Sequence, residues 1–104
     1  MQFVVVAYDG TDEGALDRRL TVREDHLKEA EEMFAAGLWL FAAGLLDDDG
    51  KMIGSMIVSD FPSREDLQKK WLDNEPYVTG NVWERIAVHR AWVPPHLTEL
   101  SGPT

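Results

Sequence analysis

Residues 3–8 form an unbroken apolar run, Phe-Val-Val-Val-Ala-Tyr, rich in β-branched side chains, and Asp9-Gly10 closes it with a turn signal. The pattern predicts a first strand over 3–8 and a polar surface loop over 9–17. Helical spacing follows to about Ala36, with Leu27, Ala30, Met33 and Phe34 on one face. Thr21-Val22-Arg23-Glu24 has the spacing of a capping box, and Gly37 is a natural helix stop. A second strand is expected over 39–46. Asp47-Asp48-Asp49-Gly50 reads as a hairpin turn, and a third, antiparallel strand is expected over 52–61. Ser63 caps a second helix, with Asp66 three residues on and Leu67, Lys70 and Trp71 along it. Residues 74–81, holding Pro76 and Gly80, read as irregular. A last strand is expected over 82–93, stopped by Pro94-Pro95, and the tail 96–104 has little to fold with. The order β-α-β-β-α-β describes one small α+β domain with a four-stranded sheet.

The strands carry a second message. A sheet covered by helices on one face and by water on the other alternates apolar with polar residues. Here Phe3, Val5 and Ala7 oppose Val4, Val6 and Tyr8, and Trp39, Phe41 and Ala43 oppose Leu40, Ala42 and Leu46, so both faces read as apolar. Two helices cover only one face. A second copy of the chain is the simplest cover for the other, so a homodimer is expected. A monomer with a large apolar ligand on that face is the alternative.

Composition narrows the function classes. Nineteen acidic against ten basic residues give a net charge of −9, and no basic face is clustered, which argues against nucleic acid as a partner. No apolar run approaches a membrane span, and the first residues lack the basic and small-residue features of a signal peptide. The absence of cysteine removes disulfides, thiolate metal sites and cysteine nucleophiles. A cytoplasmic protein is the expectation.

Few residues remain to carry chemistry. His26, with Ala30 and Met33 four and seven residues on, borders the apolar helix face, where an imidazole can transfer protons near neutral pH. A hydrogen-bonded boundary histidine with no chemical task fits the same position. Glu75 sits beside a turn proline, the usual place for a solvated charge, yet the topology can bring its loop to the first helix, where a carboxylate would orient His26. Ser55 follows Gly54 inside a strand, which suits either a hydrogen bond to a ligand or to His26, or a tight packing spot. Arg23, three residues before His26, can hold an anionic group or make a surface ion pair. His89 and His96 stand apart from these, and no three ligands share metal spacing, so neither metal nor other cofactor is expected.

Arg19-Leu20-Thr21-Val22-Arg23 with His26-Leu27, Ala43-Gly44-Leu45-Leu46, the Asp-Asp-Asp-Gly turn, Gly54-Ser55, Pro76-Tyr77 and the closing strand around Trp92 together resemble the YciI-like (YCII-related) proteins. The resemblance runs in order over residues 1–93 and leaves 94–104 as a tail. It implies a ferredoxin-like domain assembled as a dimeric α+β barrel, akin in fold to muconolactone isomerases. It also implies a histidine–carboxylate pair, carried over as His26 and Glu75, with Ser55 nearby. Ser55, Arg23 and Tyr77 are the expected substrate-binding residues. Glu75 stands where the family has aspartate, one methylene shorter, and Leu45 stands where it has proline. The expected activity is that of an isomerase or a lyase of the dehydrochlorinase type on a small cyclic or aromatic compound. The alternative is a noncatalytic dimeric ligand-binding or interaction module.

Overall fold

The computed structural model describes residues 1–101, the side chains of 99–101 excepted. Four strands, β1 (Gln2–Asp9), β2 (Trp39–Leu46), β3 (Met52–Asp60) and β4 (Trp83–Ala91), form one sheet in the order β2-β3-β1-β4. Every neighbouring pair is antiparallel. Helices α1 (Ala15–Ala35), α2 (Arg64–Lys70) and the short α3 (Pro76–Thr79), with a single 3₁₀ turn over Leu72–Asn74, complete the α+β order that the sequence predicts. A fourth helix, α4 (Pro95–Ser101), follows the last strand.

Strict alternation along β1 puts Phe3, Val5, Ala7 and Asp9 inward, and register places Ser59, Ile57 and Ser55 of β3 beside the first three. Phe3, Val5, Ala7 and Ile57 make the core with Trp39, Phe61, Leu67, Trp71, Leu72, Tyr77, Val82 and Trp83. The turn predictions hold in detail. Asp47 Oδ1 accepts from the amides of Asp49 and Lys51, both at 2.9 Å, and Gly50 takes the φ of +83° that the turn needs. Leu38 N donates to Met33 O and Gly37 N to Phe34 O, the Schellman end expected at Gly37. Ser63 Oγ accepts from Asp66 N at 3.0 Å, as its cap position predicts.

Besides the stretch 74–81 read as irregular, where Pro76–Thr79 form α3 because Pro76 suits the first helical position, four expectations need correction. First, α1 begins at Ala15, inside the stretch read as loop, and the Thr21–Glu24 capping box lies in mid-helix, where Thr21 Oγ1 donates to Asp17 O. The first turn is held instead by Arg18, which grips Asp12 through two bonds of 2.7 and 2.8 Å and reaches Asn81 O at 3.0 Å. Arg18 also holds the Asp12 carboxyl down at about 2. Second, Leu27 and Phe34 are exposed. The face of α1 turned to the sheet runs through Ala15, Arg19, Val22, His26, Ala30 and Met33. Third, the register shifts between Trp39 and Phe41. This bulge puts Trp39 and Ala42 beside Ser59 and Ile57 on the helix side, and Phe41 and Ala43 beside Val58 and Met56 on the other. Fourth, residues read as a tail form α4, because Pro95 takes the first helical position, where its missing N–H costs nothing. Residues 102–104 lie outside the described residues.

Candidate functional site

The inward face of α1 carries Arg19 and His26, two residues that a helix rarely buries without partners. Both have them. His26 is 8% exposed and Glu75, the first residue before α3, is 0% exposed. His26 Nδ1 meets Glu75 Oε1 at 2.5 Å. The same carboxylate accepts from Trp71 Nε1 at 2.8 Å and from the amide of Tyr77 at 3.2 Å. A carboxylate with three donors aimed at it is a fixed acceptor, so Nδ1 carries the proton in this pair and Nε2 is the nitrogen left unengaged.

Local backbone sets this up. Glu75 is extended (φ −61°, ψ 124°), Pro76 starts α3, and the Glu75 carbonyl accepts from the amides of Val78 and Thr79. The side chain therefore turns back over its own helix start toward α1. Tyr77 lies flat on the imidazole, with centroids 3.8 Å apart and planes 8° apart, while Trp39 and Trp83 flank it at 6.0 Å. His26 is thus fixed by one hydrogen bond and by aromatic walls.

Arg19 is the second anchor. Its Nη1 takes both oxygens of Asp9, at 2.7 and 2.9 Å, and the pair is almost wholly buried. Its Nη2 reaches Ser55 Oγ at 3.4 Å, and its guanidinium lies 4.8 Å from the Tyr77 ring centroid. Ser55 Oγ also accepts from Trp83 Nε1 at 3.3 Å. Arginine and indole only donate, so both lone pairs of the hydroxyl are engaged and its own proton is free to point elsewhere. Ser55 does not bond His26. Gly54 beside it is a tight packing spot, since a Cβ there would sit 2.3 Å from the Ala7 carbonyl oxygen.

These groups line one cleft of about 210 Å³ between α1 and strands β2 and β3. Arg23, His26, Ser55 and Tyr77 all face it, and Trp39, Gly44, Met52 and Ile57 complete much of the wall. Arg23 is exposed and has no ion pair among the described residues. Glu75 lies behind His26, with no surface of its own. His89 and His96 are exposed and away from the cleft. One turn on from His26 along α1, burial and then the charges of Glu75 and Glu32 push Glu29 up to about 7.

The sequence expectation brings together four cleft residues and the carboxylate behind them, and it omits Arg19, Asp9, Trp71 and Trp83. Two of these had a readable signal. Asp9 continues the alternation of Phe3, Val5 and Ala7, and Arg19 stands two helical turns before His26. The tryptophans had none beyond their apolar character.

A family model for the YCII-related domain matches residues 1–92. Among curated proteins, "Protein YciI" of Escherichia coli O6:H1 and its counterpart of Shigella flexneri are each 33% identical over 94 residues, covering 85% of this chain and 93% of theirs. Among solved structures, the 5-chloro-2-hydroxyhydroquinone dehydrochlorinase of Burkholderia phenoliruptrix AC1100, in complex with 2,5-dihydroxybenzoquinone, has the same fold. Its TM-score is 0.76 at 22% identity, over 92% of this chain and 98% of that one.

Proposed function

The chain belongs to the YCII-related domain family, and from that premise we propose that it is an enzyme of small cyclic or aromatic compounds, an isomerase or a lyase of the dehydrochlorinase type, with His26 as its acid–base group. The observation that carries this reading is an imidazole whose Nδ1 is committed to a wholly buried carboxylate while the ring borders a 210 Å³ cleft. Nε2 takes a proton from the bound ring. In an isomerisation it returns that proton at another atom. In an elimination the freed electron pair moves into the ring, and the leaving group departs with the electrons of its own bond. Both need proton transfer to a fixed base, which a buried His–carboxylate pair supplies. Glu75 orients His26. Ser55 donates its free hydroxyl proton, and Arg23 its charge, to ligand oxygens; Tyr77 offers an aromatic wall. The dehydrochlorinase relative, bound to a dihydroxybenzoquinone, supports an aromatic ligand of this size.

The test is an NMR titration with 2,5-dihydroxybenzoquinone. The ring protons of His26 and Tyr77 should shift saturably, while those of His89 and His96 stay in place. Shifts confined to His89 or His96, or none at all, would remove the cleft as the binding site.

A homodimer goes with this reading. The sheet face away from the helices presents Val4, Val6, Tyr8, Phe41 and Val58, with Phe41 62% exposed. The segment from Trp92 to Thr98 borders only one end of it. An apolar face of this extent is what a second copy covers in a barrel of two sheets. Light scattering at micromolar concentration should report twice the chain mass, and a clean monomer would refute the assembly.

A further inference from the structure

Two cavities meet at one side chain. The His26 cleft is the inner one. An outer cavity of about 500 Å³ lies beside it, lined by the end of β1, the segment leading into α1 and the β2–β3 turn, with Tyr8, Asp12, Asp47, Lys51 and Arg85 on its walls. Met52 is the single described residue that lines both. Next to it the division continues as the Arg19–Asp9 ion pair, with Arg19 on the inner side and Asp9 on the outer.

Met52 lies over Gly44. A Cβ at position 44 would stand 2.4 Å from Met52 Cε and 3.1 Å from its Sδ, so the glycine clears the seat on which the thioether rests. Methionine is unbranched and has three rotatable bonds, which makes it the part of this wall that can yield. The ion pair beside it is buried and bidentate and holds its place.

We infer that Met52 is the partition that sets the length of ligand accepted at His26, and that the outer cavity is a subsite for a polar arm on that ring. The polarity follows from the walls. Asp9 and Asp12 are neutralised by Arg19 and Arg18, and Glu13 and Asp47 stand against Lys51 and Arg85, so the cavity is polar without a net charge. An arm ending in an ammonium, a hydroxyl or a carboxylate finds a partner there. With Met52 in place, a bare ring fits the inner cleft and the arm is turned away.

The subsite rests on the proposed function for the position of the ring; the partition does not. Binding is measured for 2,5-dihydroxybenzoquinone (a ring alone), tyramine (a phenol with an ammonium arm) and 4-hydroxyphenylacetate (a phenol with a carboxylate arm). Met52→Ala should raise the affinity for tyramine and for 4-hydroxyphenylacetate about tenfold, the range over which a few methylenes in a pocket discriminate. The gain for the bare ring should be smaller than for either, since it has no arm to enter the subsite. Met52→Leu, which keeps the wall, should give neither gain. Equal affinity for both armed phenols in wild type and Met52→Ala, or an equal gain for the bare ring, overturns the subsite. A crystal structure of Met52→Ala without ligand decides the partition independently: the cavities should be continuous, and two still-separate cavities would refute it. If no ring compound binds any variant, the His26 reading and the subsite fall together while the partition is still decided.

Discussion

Glu75→Gln is expected to cost turnover about a hundredfold or more, within the range that a positioned acid–base group supplies, while the protein still folds. Glu75 Oε1 accepts from His26 and from the Tyr77 amide, and Oε2 accepts from Trp71. Glutamine keeps one acceptor oxygen for His26 and Tyr77 but turns an amide NH₂ toward the indole N–H. Leaving that one buried donor unsatisfied costs about 1–3 kcal/mol. The charge that complements a protonated His26 is gone, so the proton-transfer step slows more than binding does. Glu75→Leu strips acceptors from all three donors and should cost more than the glutamine variant in urea unfolding, since each orphaned group adds its own penalty. Glu75→Asp keeps the charge but shortens the arm, so it should fall between wild type and Gln in turnover. His26→Ala should match Glu75→Gln in activity if the two act as one unit. Turnover of Glu75→Gln within about threefold of wild type would show that the carboxylate holds the fold and plays no part in the chemistry.

The largest loss of stability is expected from Arg19→Leu. Removing one partner of a buried ion pair typically costs about 3–5 kcal/mol, because the other charge is left without compensation. Asp9 is that partner, bound through both oxygens with the pair nearly excluded from water. Arg19 also covers Tyr77 and bonds Ser55, so its loss loosens the cleft floor as well. The double variant Arg19→Leu with Asp9→Leu should recover a substantial part of the deficit, since replacing both members of such a pair is far cheaper than replacing one. Urea unfolding of the three variants measures the coupling. A cost below about 1 kcal/mol for Arg19→Leu would place the pair among those that surface solvent screens.

The fold was legible where local rules act alone. The Asp47–Gly50 turn, the Ser63 cap and the Gly37 helix end each satisfy their hydrogen bonds within a few residues, so a short window of sequence contains the whole cause. β1 was legible because its apolar, β-branched run is closed by the Asp9-Gly10 turn signal. β2 was legible in its bounds but not in its faces, because a bulge between Trp39 and Phe41 exchanges the faces of the residues from Phe41 to Leu45, and an apolar run of this kind carries no mark of the extra residue. The inward stripe of α1 was misread for a different reason. Charged side chains count as outward unless their partners are known, and Arg19 is paid for by Asp9 across a turn and Ser55 across the sheet. Glu75 is the sharpest case. A glutamate before a proline reads as a solvated loop charge, and what buries it is a histidine 49 residues earlier. The resemblance located that pair; the physical reason for it exists only in three dimensions.

The strand order has a consequence for how the molecule comes into being. β1 is made first, yet it lies inside the sheet between β3 and β4, with both of its hydrogen-bonding edges filled by segments from the second half of the chain. Its apolar residues therefore wait until Asp60 for a partner on one edge and until Ala91 for a partner on the other. Pairings of such long separation close slowly, and an open apolar strand is a template for wrong partners in the meantime. The acid–base pair inherits this schedule: His26 exists early, but its carboxylate arrives only after three strands and two helices have been laid down. The chain thus acquires Glu75 and Tyr77 shortly before its last strand, and a growing chain short of that strand has neither a closed sheet nor the Trp83 wall of the site.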